Sequence, residues 1–300
     1  MTDRYINLFT DYGFKKIFGE EPNKDLLIGF LNELLPPEAR VTDLTYLKNE
    51  RLGLNEGERR AVYDLYCTNE TGEKFIVEVQ RVRQQFFKDR SLYYSTFAIQ
   101  EQAARGKDWQ YELKAVYTVA VLDFTFEDTG PEALKHVIGL VDLHTCKVFN
   151  KNLTFIYLEI PKFNKPLQEL ATDYERWLFA FKNLHKLADR PEQLQEGIFK
   201  RLLEVAEIAR LDRNELAVYQ DSLKDYRDLK SAMDTYFAEG KEEGLLEGKK
   251  EGLLEGKKEG LLEGKKEVAR NLLKNGMDID SVALATGLDR AVLQEISQNL

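Results

Sequence analysis

The segment that most restricts how this chain can fold is AVYDLYCTNETGEKFIVEVQ, residues 61–80. Its halves, 61–68 and 73–80, alternate apolar and polar side chains, and Asn69-Glu70-Thr71-Gly72 between them is a turn signal. The segment is therefore expected to be a β-hairpin. Residues 41–49, VTDLTYLKN, alternate like a further strand, and residues 153–160, LTFIYLEI, read as another. Residues 113–124, LKAVYTVAVLDF, form a nearly continuous apolar run rich in β-branched side chains, as suits a strand buried on both faces. Three helical stretches accompany them. Residues 24–35 place apolar side chains at helical spacing and stop at Pro36-Pro37, residues 84–105 read as a long helix rich in Phe and Tyr, and residues 167–230 read as helical throughout.

The hairpin also carries the chemistry. Residues two apart on a strand point to the same face, so Glu78 and Gln80 share one face while Val77 and Val79 point to the other. With a turn at residues 69–72, Asp64 comes to lie across the hairpin from the Glu78 region. Aspartate is depleted in strands, and here it is flanked by Val62, Tyr63, Leu65 and Tyr66. Two carboxylates on facing strands are what a hard divalent cation needs, because Mg²⁺ takes one or two carboxylates together with waters and substrate phosphate. A third polar group on that face can orient an attacking water, so the chemistry implied is hydrolysis of a phosphodiester. The competing reading is an ordinary solvent-facing hairpin with alternating polar residues.

Charge and composition limit the other possibilities. The net charge of -9 argues against a broad nucleic-acid-binding surface but not against a local one. Most of the 17 Phe and 14 Tyr lie before residue 185, so the core is expected in that part of the chain. The two cysteines, Cys67 and Cys146, form no CxxC pair and suggest a reduced, cytoplasmic setting. The N-terminal residues lack the basic start and apolar run of a signal peptide, and no stretch approaches the ~18 apolar residues of a membrane span. His136, His144 and His185 are scattered and are expected to be solvated or satisfied by neighbours rather than to bind zinc.

Several segments together resemble the PD-(D/E)XK nuclease family transposases, a group that includes the recombination-promoting nucleases. They are TDYGFKKIFGEEPNKDLL near the start, the hairpin, FFKDRSLYYSTFAIQEQ, ELKAVYTVAVLDF and LTFIYLEIPKFNKPLQEL, which span roughly residues 5–235. The resemblance implies an α/β fold: a restriction-endonuclease-like core with a mixed central sheet flanked by helices, here with a helical C-terminal extension. It also implies a Mg²⁺-dependent DNA endonuclease, Mn²⁺ or another divalent cation being an alternative, tied to recombination, mobile elements or defence against foreign DNA. Carried onto this chain, the catalytic set is Asp64, Glu78 and Gln80, with Asp64 and Glu78 as metal ligands. Gln80 stands where the family motif has lysine. That removes a cation able to stabilise transition-state charge, but an amide can still orient a water by hydrogen bonding. Two alternatives stay open: a catalytically weak or inactive nuclease-fold protein acting as an oligomeric scaffold, and an RNase on the same scaffold.

Other residues are secondary candidates. Lys15, Lys16, Arg81, Arg83, Lys88 and Arg90 could hold phosphates of bound DNA, or be ordinary surface charge. Asp11 could contact the site or cap a helix, Glu33 could add a metal ligand, and Gln100 and Gln102 lie on the helix that carries Tyr93 and Tyr94.

At residue 239 the composition changes. Residues 239–266 repeat the unit EGKKEGLL, with glycines at 240, 244, 248, 252, 256, 260 and 264. On a helix an eight-residue unit overshoots two turns by roughly 80°. The pairs Leu245-Leu246, Leu253-Leu254 and Leu261-Leu262 would therefore spiral around the axis and form no straight stripe. Each interior glycine costs ~1 kcal/mol against Ala, so the segment is read either as a semi-flexible spacer or as an oligomerising helix. Residues 267–300 read as a small helix-turn-helix-like tail, with turns at Gly276 and Gly287 and an N-cap at Asp289. Residues 276–300 hold four acids and one base, Arg290, which favours self-association or protein binding over DNA reading. The expected layout is a nuclease core over 1–165, a helical extension packed on it over 166–238, the repeat over 239–266 and the tail over 267–300. The expected partners are DNA and, through the C-terminal region, further copies of the chain, with no membrane.

Overall fold

The computed structural model describes residues 3–51, 61–103 and 110–300. In chain order the helices are α1 (Asp11–Phe18), α2 (Lys24–Asn32), α3 (Phe87–Gln100), α4 (Asp173–Asn183), α5 (Gly197–Val205), α6 (Arg213–Lys274), α7 (Ile279–Thr286) and α8 (Arg290–Gln298). The strands are β1 (Thr45–Tyr46), β2 (Glu50–Arg51), β3 (Ala61–Val62), β4 (Leu65–Thr68), β5 (Lys74–Gln80), β6 (Val116–Leu122), β7 (Lys135–Val141) and β8 (Val148–Glu159). Six of the strands form one sheet in the order β1-β4-β5-β6-β8-β7, and β2 pairs with β3 apart from it. The sheet is mixed: β5, β6 and β8 run parallel, while β4 and β7 are antiparallel to their neighbours. The contacts divide the chain into residues 1–231 and 232–300.

Within the first unit the sheet is covered on both faces. Side-chain alternation along β5 sends Phe75, Val77 and Val79 into one core cluster and Ile76 into the other. The first cluster is built on α1, α2 and α4, where Phe18, Phe30, Trp177 and Phe181 pack ring against ring at 5.1–5.8 Å. The second lies under α3, with Phe87, Ala120 and Tyr157. Glu78 and Gln80 share the face of Ile76 and therefore look toward α3.

The hairpin forms as expected, with register Leu65↔Val77 through Thr68↔Lys74 and a turn closed by Gly72 at φ +85°. All seven residues of β6 are buried, as the apolar run requires. Other elements differ from the sequence reading. The stretch 41–49 pairs in the sheet only at Thr45 and Tyr46. Helix α2 stops at Asn32, whose side chain takes the Val41 amide (2.8 Å) and donates to the Val41 carbonyl (2.9 Å), turning the chain toward the sheet. Helix α3 ends at Gln100, and the expected residues 104–105 lie outside the described residues. The stretch 167–230 is not helical throughout: α4, α5 and the start of α6 are separated by extended links and short 3₁₀ turns, two of them entered from Pro166 and Pro191. Strand β7 is an edge strand that the sequence reading does not include, and most of its side chains are exposed.

In the second unit α6 carries the octapeptide repeat as continuous helix. Its six repeat leucines are exposed, as a spiralling pattern predicts, and a Cβ at any of the seven repeat glycines would meet nothing within 4 Å. Ala269 of α6, Val282 of α7, and Leu288 and Leu293 form a small core of their own. Gly287, at φ +67°, ends α7, and Asp289 caps α8 by accepting the Ala291 amide at 3.2 Å.

Candidate active site

The site lies where the two hairpin strands part. Beyond the Leu65↔Val77 pair, Asp64 stands opposite Glu78, but the strand does not continue along β5. The Tyr63 amide instead donates to the Asn49 carbonyl (2.9 Å), and β3 pairs with β2. The Val79 amide on β5 is thereby left without a ladder partner, and Asp64 Oδ2 accepts it at 2.7 Å. This accounts for an aspartate inside a strand-like run: its carboxylate substitutes for a backbone acceptor at the point where the ladder breaks. Asn49 Nδ2 fixes the same corner by donating to the Asp64 carbonyl at 2.8 Å.

Glu78 projects from β5 half-buried, and its Oε1 is buried with no hydrogen-bond partner among the described residues. Such an atom costs free energy unless something pairs with it. Burial first, and then the charge of Asp64, push the Glu78 pKa well above the usual glutamate range; the charge of Arg90 and the Asp64 amide offset this only in part. Burial also raises the Asp64 carboxyl, against the Val79 amide, with Asp11 adding to the rise and Lys15 and Arg81 opposing it. Gln80 is buried beside them. Its Oε1 accepts from Arg90 at 2.6 Å and its Nε2 donates to the Val82 carbonyl at 2.9 Å. Arg90 also donates to Gln84 Oε1, so its guanidinium is gripped between two glutamines.

Helix α1 brings further charges to this corner. Asp11 pairs with Lys15 at 2.9 Å and approaches Arg81 at 4.0 Å. The helix is aimed by its start: Thr10 Oγ1 donates to the Asn7 carbonyl and accepts the Gly13 amide. A Cβ on Gly13 would lie 2.2 Å from the Asn7 carbonyl oxygen and 2.6 Å from Thr10 Oγ1. Alanine normally stabilises a helix over glycine by ~1 kcal/mol. Here the sign is expected to reverse, with Gly13→Ala costing about 1–3 kcal/mol through overpacking. A urea unfolding midpoint equal to or above that of the parent would contradict this.

The other candidates go elsewhere. Lys16 pairs with Glu215 of α6 at 2.6 Å and Glu20 at 3.1 Å. Arg83 pairs with Glu127, and Lys88 pairs with Asp128 at 2.7 Å while lying over the Phe126 ring. Glu33 ends α2 beside Lys135. Gln102 pins the end of α3 to both the amide and the carbonyl of Lys114. The exposed Gln100 has no part in the interactions that define the site. His136 is satisfied by the buried Glu159, which also accepts from Phe126, Thr129 and Lys162. Asp123, next to the end of β5, is taken by Tyr226 and Lys230 of α6. The sequence offers Arg90 only as a phosphate-binding candidate, because its grip by Gln80 depends on where α3 lies, which no local pattern reports.

Among the described residues no group of three or more His, Cys, Asp or Glu side chains forms a metal cluster. The pair Asp64 and Glu78, with one orphaned buried oxygen, fits a divalent cation that takes its remaining ligands from water and phosphate.

A mixed six-stranded sheet flanked by helices has the architecture of a PD-(D/E)XK nuclease core. Residues 8–236 match the PD-(D/E)XK nuclease family transposase, and the chain belongs to that family. Residues 262–298 match the C-terminal HTH domain of the Rpn/YhgA-like nuclease family. No curated protein and no solved structure matches the chain. Membership supports a nuclease, recombination-associated role. Among the described residues no helix is long and apolar enough to cross a membrane.

Proposed function

We propose that this chain is a divalent-metal-dependent DNA endonuclease that hydrolyses phosphodiester bonds. The observation that carries the reading is Glu78 Oε1, buried and without a hydrogen-bond partner among the described residues, beside the carboxylate of Asp64. Asp64 and Glu78 would hold Mg²⁺, or Mn²⁺ in its place. The bound cation would polarise the phosphate and lower the pKa of a water. Asp64 is oriented for this by the Val79 amide, which leaves its second oxygen free of that bond. Gln80 holds Arg90 through its carbonyl oxygen and keeps one N–H for a water. Arg90 then supplies, from α3, the positive charge that the family lysine supplies from β5, so the departure at position 80 does not leave the site without a cation. Lys15 and Arg81 sit on the Asp64 side, where a DNA phosphate would approach. Lys15 and Arg81 are themselves paired with Asp11 but act on the Asp64 charge, whereas Arg83, Lys88 and Lys16 are paired with acids elsewhere and rank below them as DNA contacts.

In the same reading residues 1–165 form the nuclease core and 166–238 a helical extension, whose residues up to 231 fall in the same unit as the core. Trp177, Phe181 and Leu202 lie in the same core cluster as Phe18 and Val77, which supports that assignment. The helical repeat, 239–266, is then a spacer to the tail, 267–300, through which copies of the chain would associate; sedimentation of the full chain tests that association.

Nicking of supercoiled plasmid with Mg²⁺ and with a chelator tests the activity. Mg²⁺-dependent conversion to the open-circular form is expected. No conversion with Mg²⁺, Mn²⁺ or Co²⁺ would favour the scaffold alternative, and cleavage of RNA alone would make the chain a ribonuclease.

A further inference from the structure

At the start of α3, lined in part by Arg90, lies a cleft of about 650 Å³. Three aromatic side chains, Phe86, Tyr93 and Tyr94, form its walls, together with the amides of Gln84 and Gln85 and the guanidinium of Arg90. Two of the aromatics face solvent, Phe86 at 64% and Tyr93 at 43% exposure, although burying such rings would be favourable. Arg90 joins the cleft to the proposed active site: it lies 5.8 Å from the Tyr94 ring centroid and donates to Gln80 Oε1 at 2.6 Å.

We propose that this cleft binds an unpaired base of single-stranded DNA and delivers the adjoining phosphate to Asp64 and Glu78. The inference rests on the nuclease reading above for the identity of the ligand. Flat aromatic walls suit a nucleobase, whose faces stack on rings whatever its sequence. Amides and the carboxylate of Asp89, which also lines the cleft, suit the donor and acceptor edge that an unpaired base exposes. Arg90 on the inner wall places a positive charge where the phosphate between cleft and carboxylates would lie. A base in intact duplex cannot reach the walls without first being unstacked, so the cleft selects single strands, gaps and flaps over continuous duplex. The net charge of -9 fits the same picture, because an acidic chain lacks the broad basic surface that holds duplex through many phosphates.

The test uses the full chain carrying Asp64→Asn, so that the DNA survives. Fluorescence anisotropy measures its binding to a labelled oligothymidine, to the same oligonucleotide as a duplex and to the RNA counterpart. Adding Phe86→Ala and Tyr93→Ala is expected to weaken single-strand binding roughly 10- to 100-fold while changing duplex binding less than about twofold. Tyr93→Phe should retain binding, since it keeps the ring. A 2-aminopurine in the single strand should be quenched on the parent and not on the double variant, a signal that a general loss of fold would not produce selectively. Unchanged single-strand affinity, equal loss on both DNA forms, or tighter binding of RNA would overturn the proposal. So would a change of oligomeric state by light scattering without loss of single-strand binding, which would make the cleft a protein contact. If the parent chain cleaves nothing but the stacking signal holds, the catalytic reading fails and the base site stands.

Discussion

Glu78→Gln is expected to remove metal-dependent cleavage and, at the same time, to raise the melting temperature of the metal-free protein. The two effects have one cause. Glu78 is half-buried, its Oε1 is buried with no hydrogen-bond partner among the described residues, and Asp64 faces it with like charge. Its pKa in the folded chain is raised above the ordinary 4.5. A raised folded pKa means that the group's contribution is fully present below the unfolded pKa and is lost as pH rises through the folded one. The metal-free protein should therefore lose stability as the pH is raised from about 4.5 through the folded pKa of this carboxyl. Glutamine carries no charge at any of these pH values. At pH 8 without metal the variant should gain about 1–3 kcal/mol, which in a unit of this size is roughly 2–10 °C. Divalent metal should raise the melting temperature of the parent by binding the folded state and leave the variant nearly unmoved. Cleavage should fall by about 10³-fold or more, corresponding to the several kcal/mol that a bound cation contributes. Asp64→Asn should lose cleavage to a similar degree with a smaller stability gain, because it removes the charge facing Glu78 while its side-chain oxygen can still accept from Val79. Calorimetry at pH 5 and pH 8, with Mg²⁺ and with chelator, checks the stability side. A glutamine variant that melts below the parent at pH 8 without metal, or that still cleaves DNA, would remove the basis of the site assignment.

The second large effect concerns Arg90. If its guanidinium does the work of the family lysine, Arg90→Ala should lower the turnover number about 10²-fold, the scale of removing one charge-stabilising donor, with a smaller change in KM. Arg90→Lys should restore little, since an ammonium cannot bridge Gln80 and Gln84 as the planar fork does. The informative variant is the double one. Gln80→Lys alone places a second cation against Arg90 and is expected to impair the site, whereas Gln80→Lys with Arg90→Ala returns the charge to β5 and should recover at least about tenfold over Arg90→Ala. Full turnover in Arg90→Ala, or a double variant no better than the single one, would separate Arg90 from the chemistry and leave it as a support for Gln80.

What the chain wrote into its local pattern concerns strands, faces and caps. Alternation over 61–80 gives the hairpin, the shared face of Glu78 and Gln80, and the opposite face of Val77 and Val79. The apolar run over 113–124 gives the central strand, and Asp289 and Gly287 give the turn of the tail. These features depend on neighbours a few residues away, so periodicity and turn chemistry suffice to find them. Tertiary structure decided the rest. That β3 leaves β5 at Tyr63, handing the Val79 amide to Asp64, depends on pairing with residues 49–51. That Lys15 approaches Asp64 while Lys16 turns to Glu215 depends on which side of α1 meets the sheet and which meets α6. Arg90 meets Gln80 and Glu78 only because α3 packs on the face that those two residues share. Alternation tells which face of a strand a side chain occupies. It does not tell which helix will cover that face, and the positive charge beside Glu78 and Gln80 comes from that helix.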